Sequence, residues 1–208
     1  MTRIKVCGIK RSSDVDCLNE LLPDYAGFVF ARSRRAVGLR EAGELIGALD
    51  SCIGRVGVFQ DQELETVRHY AECLKLDVIQ LHGNESEEYI DALRGFRIWR
   101  VGAIEAGVAS SLEKLDRICS MEVEAVLLDS CAGGARGGSG ISFDWNLLQN
   151  LKTDKNLILA GGLNLQNVEK AIGKVKPWCV DVSSGVEEDG MKSYKKIKYF
   201  IEKVRSIK

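Results

Sequence analysis

A chain of 208 residues that is 45% apolar and 28% charged has the composition of one globular domain, long enough to bury a sizeable core. Twenty-nine basic residues against thirty acidic ones leave a formal net charge of -1, so no field of one sign draws the chain to nucleic acid or an anionic membrane. The apolar runs fall short of the roughly 18 residues that a membrane span needs, and the charged start does not read as a signal segment. The expectation is one domain over residues 1–208, in the cytoplasm. Seven cysteines with no C-x-x-C pair suit neither a disulfide framework nor structural zinc, and two histidines leave little material for a metal site or a Ser-His-Asp triad.

Short β-branched apolar runs occur at residues 4–6, 25–30, 55–59, 77–81, 96–101, 125–128, 156–160 and 178–182. Between and after them, helical periodicity marks residues 14–22, 40–49, 63–74, 85–93, 108–121, 145–151, 165–172 and 194–204. Ser13, Asp61, Asn84 and Ser193 are the capping candidates. Strand and helix alternate eight times, which calls for a parallel sheet. Eight such units predict an α/β fold, a single short (β/α)8 barrel of the TIM type; an open doubly wound sheet is the alternative, because periodicity cannot show that strand one meets strand eight.

In such a barrel the chemistry gathers at the C-terminal ends of the strands. Gly161-Gly162 after the seventh strand and Ser183-Ser184-Gly185 after the eighth are small enough for backbone N–H groups to approach a phosphate, which points to a phosphorylated small-molecule ligand. Tight βα turns are the plainer explanation of the same residues. The glycine-rich run 131–140 reads equally as a lid or as an ordinary solvated loop.

Cys7 ends the first strand facing the barrel mouth, where it is a candidate base. That role needs a thiolate, hence a pKa drawn below the reference of about 8.5 by a nearby positive charge. Lys5 lies two residues back on the same face, roughly 7 Å along the strand. A lysine inside a barrel needs a partner, and closure makes Asp181 that partner. Asp129 closes the run Ala125-Val-Leu-Leu128 as a candidate acid, its alternative being a turn cap with Ser130. Of Arg34 and Arg35, at most one is expected to face inward and clamp a carboxylate. His82 is placed to hydrogen-bond in the pocket or in its own turn, and Trp99, Trp145 and Trp178 read as core.

These positions fall within motifs spanning nearly the whole chain: Ile4-Lys-Val-Cys-Gly-Ile9, Gly27-Phe-Val-Phe30 with Ser33-Arg-Arg35, Val56-Gly-Val-Phe59, Ile79-Gln-Leu-His-Gly83, Leu128-Asp-Ser130, Gly137-Gly-Ser-Gly140 with Phe143-Asp-Trp145, Leu159-Ala-Gly-Gly-Leu-Asn164 and Asp181-Val-Ser-Ser-Gly-Val-Glu187. Together they resemble the phosphoribosylanthranilate isomerase family of tryptophan biosynthesis. The resemblance implies a (β/α)8 barrel working without cofactor or metal, as a monomer or homodimer. It implies an Amadori rearrangement in which Asp129 protonates the furanose oxygen and Cys7 removes the C2 proton. By the same resemblance Arg35 holds the anthranilate carboxylate, and Gly162, Ser183, Ser184 and Gly185 lie on the phosphate loops. Asp181 contacts the sugar hydroxyls or Lys5. Residues 30–35 depart from the family pattern, being about one residue shorter and lacking its proline, and Ser139 replaces the commoner threonine. A related histidine-pathway aminoaldose isomerase, a dual-substrate relative and a non-catalytic phosphosugar-binding barrel are the rivals; Cys7 speaks against the first two and the Cys7 and Asp129 pair against the last.

Overall fold

A computed structural model describes residues 1–105, 110–132, 135–136 and 153–207. Eight strands form the barrel: β1 (Arg3–Cys7), β2 (Tyr25–Val29), β3 (Gly54–Phe59), β4 (Val78–Leu81), β5 (Ile98–Glu105), β6 (Ala125–Ala132), β7 (Asn156–Leu159) and β8 (Cys179–Val182). Each pairs in parallel with the next, and β8 pairs with β1 in the register Arg3↔Cys179 to Val6↔Val182. The closed barrel, and not the open sheet, is therefore the architecture. Around it stand α1 (Ser12–Leu21), α2 (Leu39–Ala48), α3 (Leu64–Cys73), α4 (Glu87–Ala92), α5 (Ser110–Ser120), α6 (Val168–Val175) and α7 (Tyr194–Ser206). The helix predicted over 145–151, with Trp145, lies outside the described residues, as do Ser139 and most of the glycine-rich run.

Side-chain alternation divides the core in two. Ile4, Val6, Phe28, Ile79, Leu81 and Val182 face the helices in the large outer cluster. Tyr25, Val56, Trp99, Leu127, Ile158 and Cys179 belong to a separate cluster that fills the lower barrel, with Tyr25 and Trp99 edge to face at 4.9 Å. On β1 the same alternation turns Lys5 and Cys7 inward.

Two strands outrun their apolar sequence. The β5–β6 ladder continues through Ala103↔Asp129 to Glu105↔Cys131, so Asp129 sits within β6 and not beyond it. Polar side chains end an apolar run without ending backbone pairing. Three of the four capping residues also differ from expectation. The N-cap of α1 is Arg11, and Asp14 accepts the backbone N–H groups of Lys10 and Arg11, which leaves Ser13 inside the helix. Ser86, not Asn84, caps α4 by accepting the Tyr89 N–H. Glu63 precedes α3, while Asp61 adopts a left-handed φ of 52° and accepts the Asn84 N–H. Ser193 does precede α7, though without a side-chain cap bond.

The expected ion pair is present: Lys5 Nζ donates to Asp181 Oδ2 at 2.7 Å, with Lys5 fully buried. Removing one partner of a buried pair strands the other charge, so Lys5→Met is expected to cost about 3–5 kcal/mol in urea unfolding. Adding Asp181→Leu should recover much of that loss; a double variant no more stable than Lys5→Met would contradict the pairing argument.

Candidate active site

At the C-terminal ends of the strands opens a cavity of about 190 Å³. It brings together Cys7 from β1, Asp129 from β6, Arg35, His82 and Asp181, and, from the loops after β7 and β8, Gly161, Gly162, Ser183 and Ser184. Gly185 stands behind the wall: a Cβ there would lie 1.9 Å from the Leu163 carbonyl oxygen, so only glycine lets the loops after β7 and β8 pack together. Gly161 and Gly162 have φ values of 79° and 65°. The Asn164 and Asn167 carboxamides donate to the Gly162 carbonyl at 3.2 and 3.0 Å and fix that turn.

The electrostatics of Cys7 differ from expectation. Burial pushes its thiol up, and Lys5 opposes that, but the Asp181 carboxylate pushes in the same direction as burial. The net shift is upward, chiefly because the thiol is buried, with Asp181 offsetting part of what Lys5 contributes. Lys5 itself is raised: burial disfavours its ammonium, and Asp181 more than compensates.

Across the cavity His82 Nε2 lies 3.6 Å from Asp129 Oδ2. Arg100 on β5 donates to the carbonyls of Leu81 and Gly83, the residues flanking His82, at 3.1 and 2.9 Å. Glu85 pairs with Arg100 at 3.2 Å and accepts the N–H groups of Gly83 and Asp61. The turn that presents His82 is thus pinned from two sides.

Of the two candidate arginines, Arg35 faces the cavity and Arg34 is largely exposed. Arg35 donates through Nε and Nη2 to the two oxygens of Glu187, at 2.7 and 3.0 Å. This uses two of its five N–H donors. Arg34 and Lys192 reach the same carboxylate, each at 2.8 Å. Burial disfavours the charge of Glu187, but hydrogen bonds from Arg35 and Lys192 outweigh it and draw its pKa down to about 2.

Three residues of this region carried no assignment from sequence. Lys192 and Glu187 face each other in a hairpin of Glu187–Glu188 with Met191–Lys192, and the other partners of Glu187, Arg34 and Arg35, lie about 150 residues away in the chain. No local pattern marks such a cluster. Gln80 was readable: in Val78-Ile79-Gln80-Leu81 the period of two turns it inward, and it lines the cavity. Its Oε1 and Asp181 Oδ1 are buried acceptors without a hydrogen-bond partner. Among the described residues no group of three or more His, Cys, Asp or Glu is placed to hold a metal ion, and no helix is long and apolar enough to cross a membrane.

A closed (β/α)8 barrel with a cysteine and an aspartate on one cavity, beside two glycine- and serine-rich loops after β7 and β8, has the layout of a phosphosugar-processing barrel. Residues 4–203 match the family model for N-(5'-phosphoribosyl)anthranilate (PRA) isomerase. An N-(5'-phosphoribosyl)anthranilate isomerase from Clostridium acetobutylicum is 46% identical over 210 aligned positions, covering 100% of both chains. A structure of monomers made from the dimeric phosphoribosylanthranilate isomerase of Thermotoga maritima superimposes with a TM-score of 0.84 at 32% identity, covering 99% of each chain. A phosphoribosylanthranilate isomerase bound to reduced 1-(o-carboxyphenylamino)-1-deoxyribulose 5-phosphate superimposes with a TM-score of 0.84 at 31% identity, again covering 99% of each. The chain belongs to the N-(5'-phosphoribosyl)anthranilate isomerase family.

Because the folded pKa of Glu187 lies below its ordinary 4.5, it contributes stability that is full above pH 4.5 and is lost as pH falls toward about 2. In urea titrations the stability gap between the wild type and Glu187→Gln should be constant above about pH 6 and close through that window. A gap independent of pH would show that the carboxylate's charge does not hold the cluster.

Proposed function

We propose that this cavity converts N-(5'-phosphoribosyl)anthranilate to 1-(2-carboxyphenylamino)-1-deoxyribulose 5-phosphate, a step of tryptophan biosynthesis, with Asp129 as general acid and Cys7 as general base. The observation that carries the reading is the convergence of Cys7, Asp129 and both phosphate loops on one cavity. Asp129 gives its proton to the furanose ring oxygen, the C1–O bond breaks, and the anilino nitrogen stabilises C1 as an iminium. The Cys7 thiolate then takes the proton from C2, and the C2–H electrons neutralise the iminium to give an enolamine. Tautomerisation yields the 2-ketone. C1 is reduced and C2 oxidised within one molecule, so the reaction is redox-neutral.

The remaining assignments follow the chemistry of each group. The phosphate is held by the loops of Gly161, Gly162, Ser183 and Ser184, with Gly185 keeping them in contact. Arg35 takes the anthranilate carboxylate with N–H donors beyond the two on Glu187. The unpaired acceptors Asp181 Oδ1 and Gln80 Oε1 suit sugar hydroxyls. His82, beside Asp129, completes the acid's surroundings. Residues 1–208 act as one catalytic domain in the cytoplasm, as a monomer or as a homodimer like the Thermotoga relative, with no nucleic-acid or membrane partner.

The direct test is loss of phosphoribosylanthranilate fluorescence on adding purified protein to substrate made in situ, with the histidine-pathway aminoaldose in parallel. Turnover of the first alone supports the reading, turnover of both makes the enzyme dual-substrate, and turnover of neither leaves a binding barrel. Cys7→Ser and Asp129→Asn should each lower kcat by about 10² to 10⁴-fold with little change in affinity. Near-normal turnover in either removes that residue from proton transfer. Arg35→Ala should raise KM more than it lowers kcat; the reverse would place the guanidinium's main effect in the transition state.

A further inference from the structure

Two lysines bear on Cys7, and their surroundings differ. Lys5 is matched one to one by Asp181. Lys192, from the hairpin that follows β8, has a side chain only 2% exposed. Its Nζ donates to Glu187 Oε1 at 2.8 Å, to the Ser183 carbonyl at 3.0 Å and to Ser183 Oγ at 3.3 Å. Ser183 Oγ in turn donates to the Cys7 carbonyl at 3.0 Å. A continuous hydrogen-bonded path therefore runs from Glu187 through Lys192 and Ser183 to the backbone of the candidate base.

The charge on that path is not balanced. Glu187 is shared by Lys192, Arg35 and Arg34, three cations on one carboxylate. The Lys5 pair is neutral as a unit, whereas the Glu187 cluster retains positive charge, and its buried member is the one tied to Cys7. We propose that Lys192 is a positioning residue for Cys7, its buried ammonium, fixed by Ser183 and Glu187, supplying the positive charge that stabilises the thiolate.

The inference rests on the assignment of Cys7 as base. The groups that act on the thiol are Lys5 on its own strand, Asp181 on β8 and Lys192 on the hairpin, with Arg35 and Glu187 behind Lys192 and the His82–Asp129 pair across the cavity. Burial raises the thiol, Lys5 and Lys192 lower it, and Asp181 raises it. Burial draws the Lys192 pKa below its ordinary value, Arg35 adds to that, and Glu187 and Cys7 oppose it without reversing it. A bystander lysine would link the hairpin to the barrel without altering ionisation at Cys7.

The test measures the iodoacetamide reaction rate of Cys7 against pH, resolved from the other cysteines by peptide mass spectrometry, in the wild type, Lys192→Met, Lys192→Gln and Lys192→Arg. Removing the charge should raise the Cys7 midpoint by about one pH unit and carry the acidic limb of kcat/KM upward with it, while Lys192→Arg stays near the wild-type midpoint. Lys192→Gln keeps a polar side chain and must shift like Lys192→Met, so it stands in if the methionine variant does not fold. A folded neutral variant with an unmoved midpoint, or an arginine variant shifted as far as the neutral ones, overturns the proposal. The midpoint is read without turnover. An active Cys7→Ser enzyme would therefore remove the base assignment separately from the effect of Lys192 on the thiol.

Discussion

The ion pair between Lys5 and Asp181 ties closure of the barrel to placement of its chemistry. The two residues are register partners on β1 and β8, the first and last strands, and both are buried. Neither charge is tolerable alone in that interior. They meet only when β8 lies beside β1 in this register, because a slip by one residue would turn one of them toward the helices. The same register that pairs them sets Cys7 above Lys5 and Ser183 above Asp181, which puts the candidate base next to the loop after β8. Closure, strand register and the position of the thiol are thus one constraint.

Below that pair the barrel is built for stability. The lower interior is apolar around Trp99, and polar groups at the N-terminal ends of the strands are paired: Arg55 with Asp77 at 2.8 Å, Arg97 with Glu124 at 2.8 Å, and Arg3 donating to the Tyr25 hydroxyl at 3.0 Å while lying 4.5 Å from the Trp178 ring. Above it, buried acceptors on Gln80 and Asp181 lack partners. Such groups cost folding free energy unless something binds to them, so their concentration at the cavity fits a hydroxyl-rich ligand. The two ends of the barrel differ because alternate inward positions change from apolar to polar along β4, β6 and β8, from Val78 to Gln80, Leu127 to Asp129 and Cys179 to Asp181.

Much of this was legible in the chain. Eight apolar runs separated by helical periods specified the strands, and the Lys5–Asp181 pairing followed from closure once a lysine was seen to point inward. Cys7, Asp129 and the glycine and serine loops were readable because a barrel assigns meaning to whatever follows an apolar strand. The caps were less legible, since Asp14 and Ser86 satisfy helix starts that Ser13 and Asn84 could also have served. The Cys7 thiol is shifted upward, against the need for a thiolate, because burial outweighs the neighbouring lysine and Asp181 adds to burial. Glu187 and Lys192 stayed hidden for a different reason: a charge cluster assembled from segments far apart in the chain has no period and no motif.

That hidden cluster joins binding to ionisation. Glu187 holds Arg35 through two hydrogen bonds and Lys192 through one, so a single carboxylate orients both the group assigned to the substrate carboxylate and the cation tied to Cys7. An arginine already fixed in its fork loses less side-chain freedom when an anion arrives than a free surface arginine would. A neutral ion pair serves position, as Lys5 and Asp181 do beneath the thiol. An over-subscribed carboxylate serves both position and field, because the three cations that share it outnumber its charge. The inward arginine of the loop after β2 is anchored by the hairpin on the far side of Cys7's strand. Orientation of that arginine therefore comes from a tertiary contact, which holds as long as Arg35 reaches Glu187.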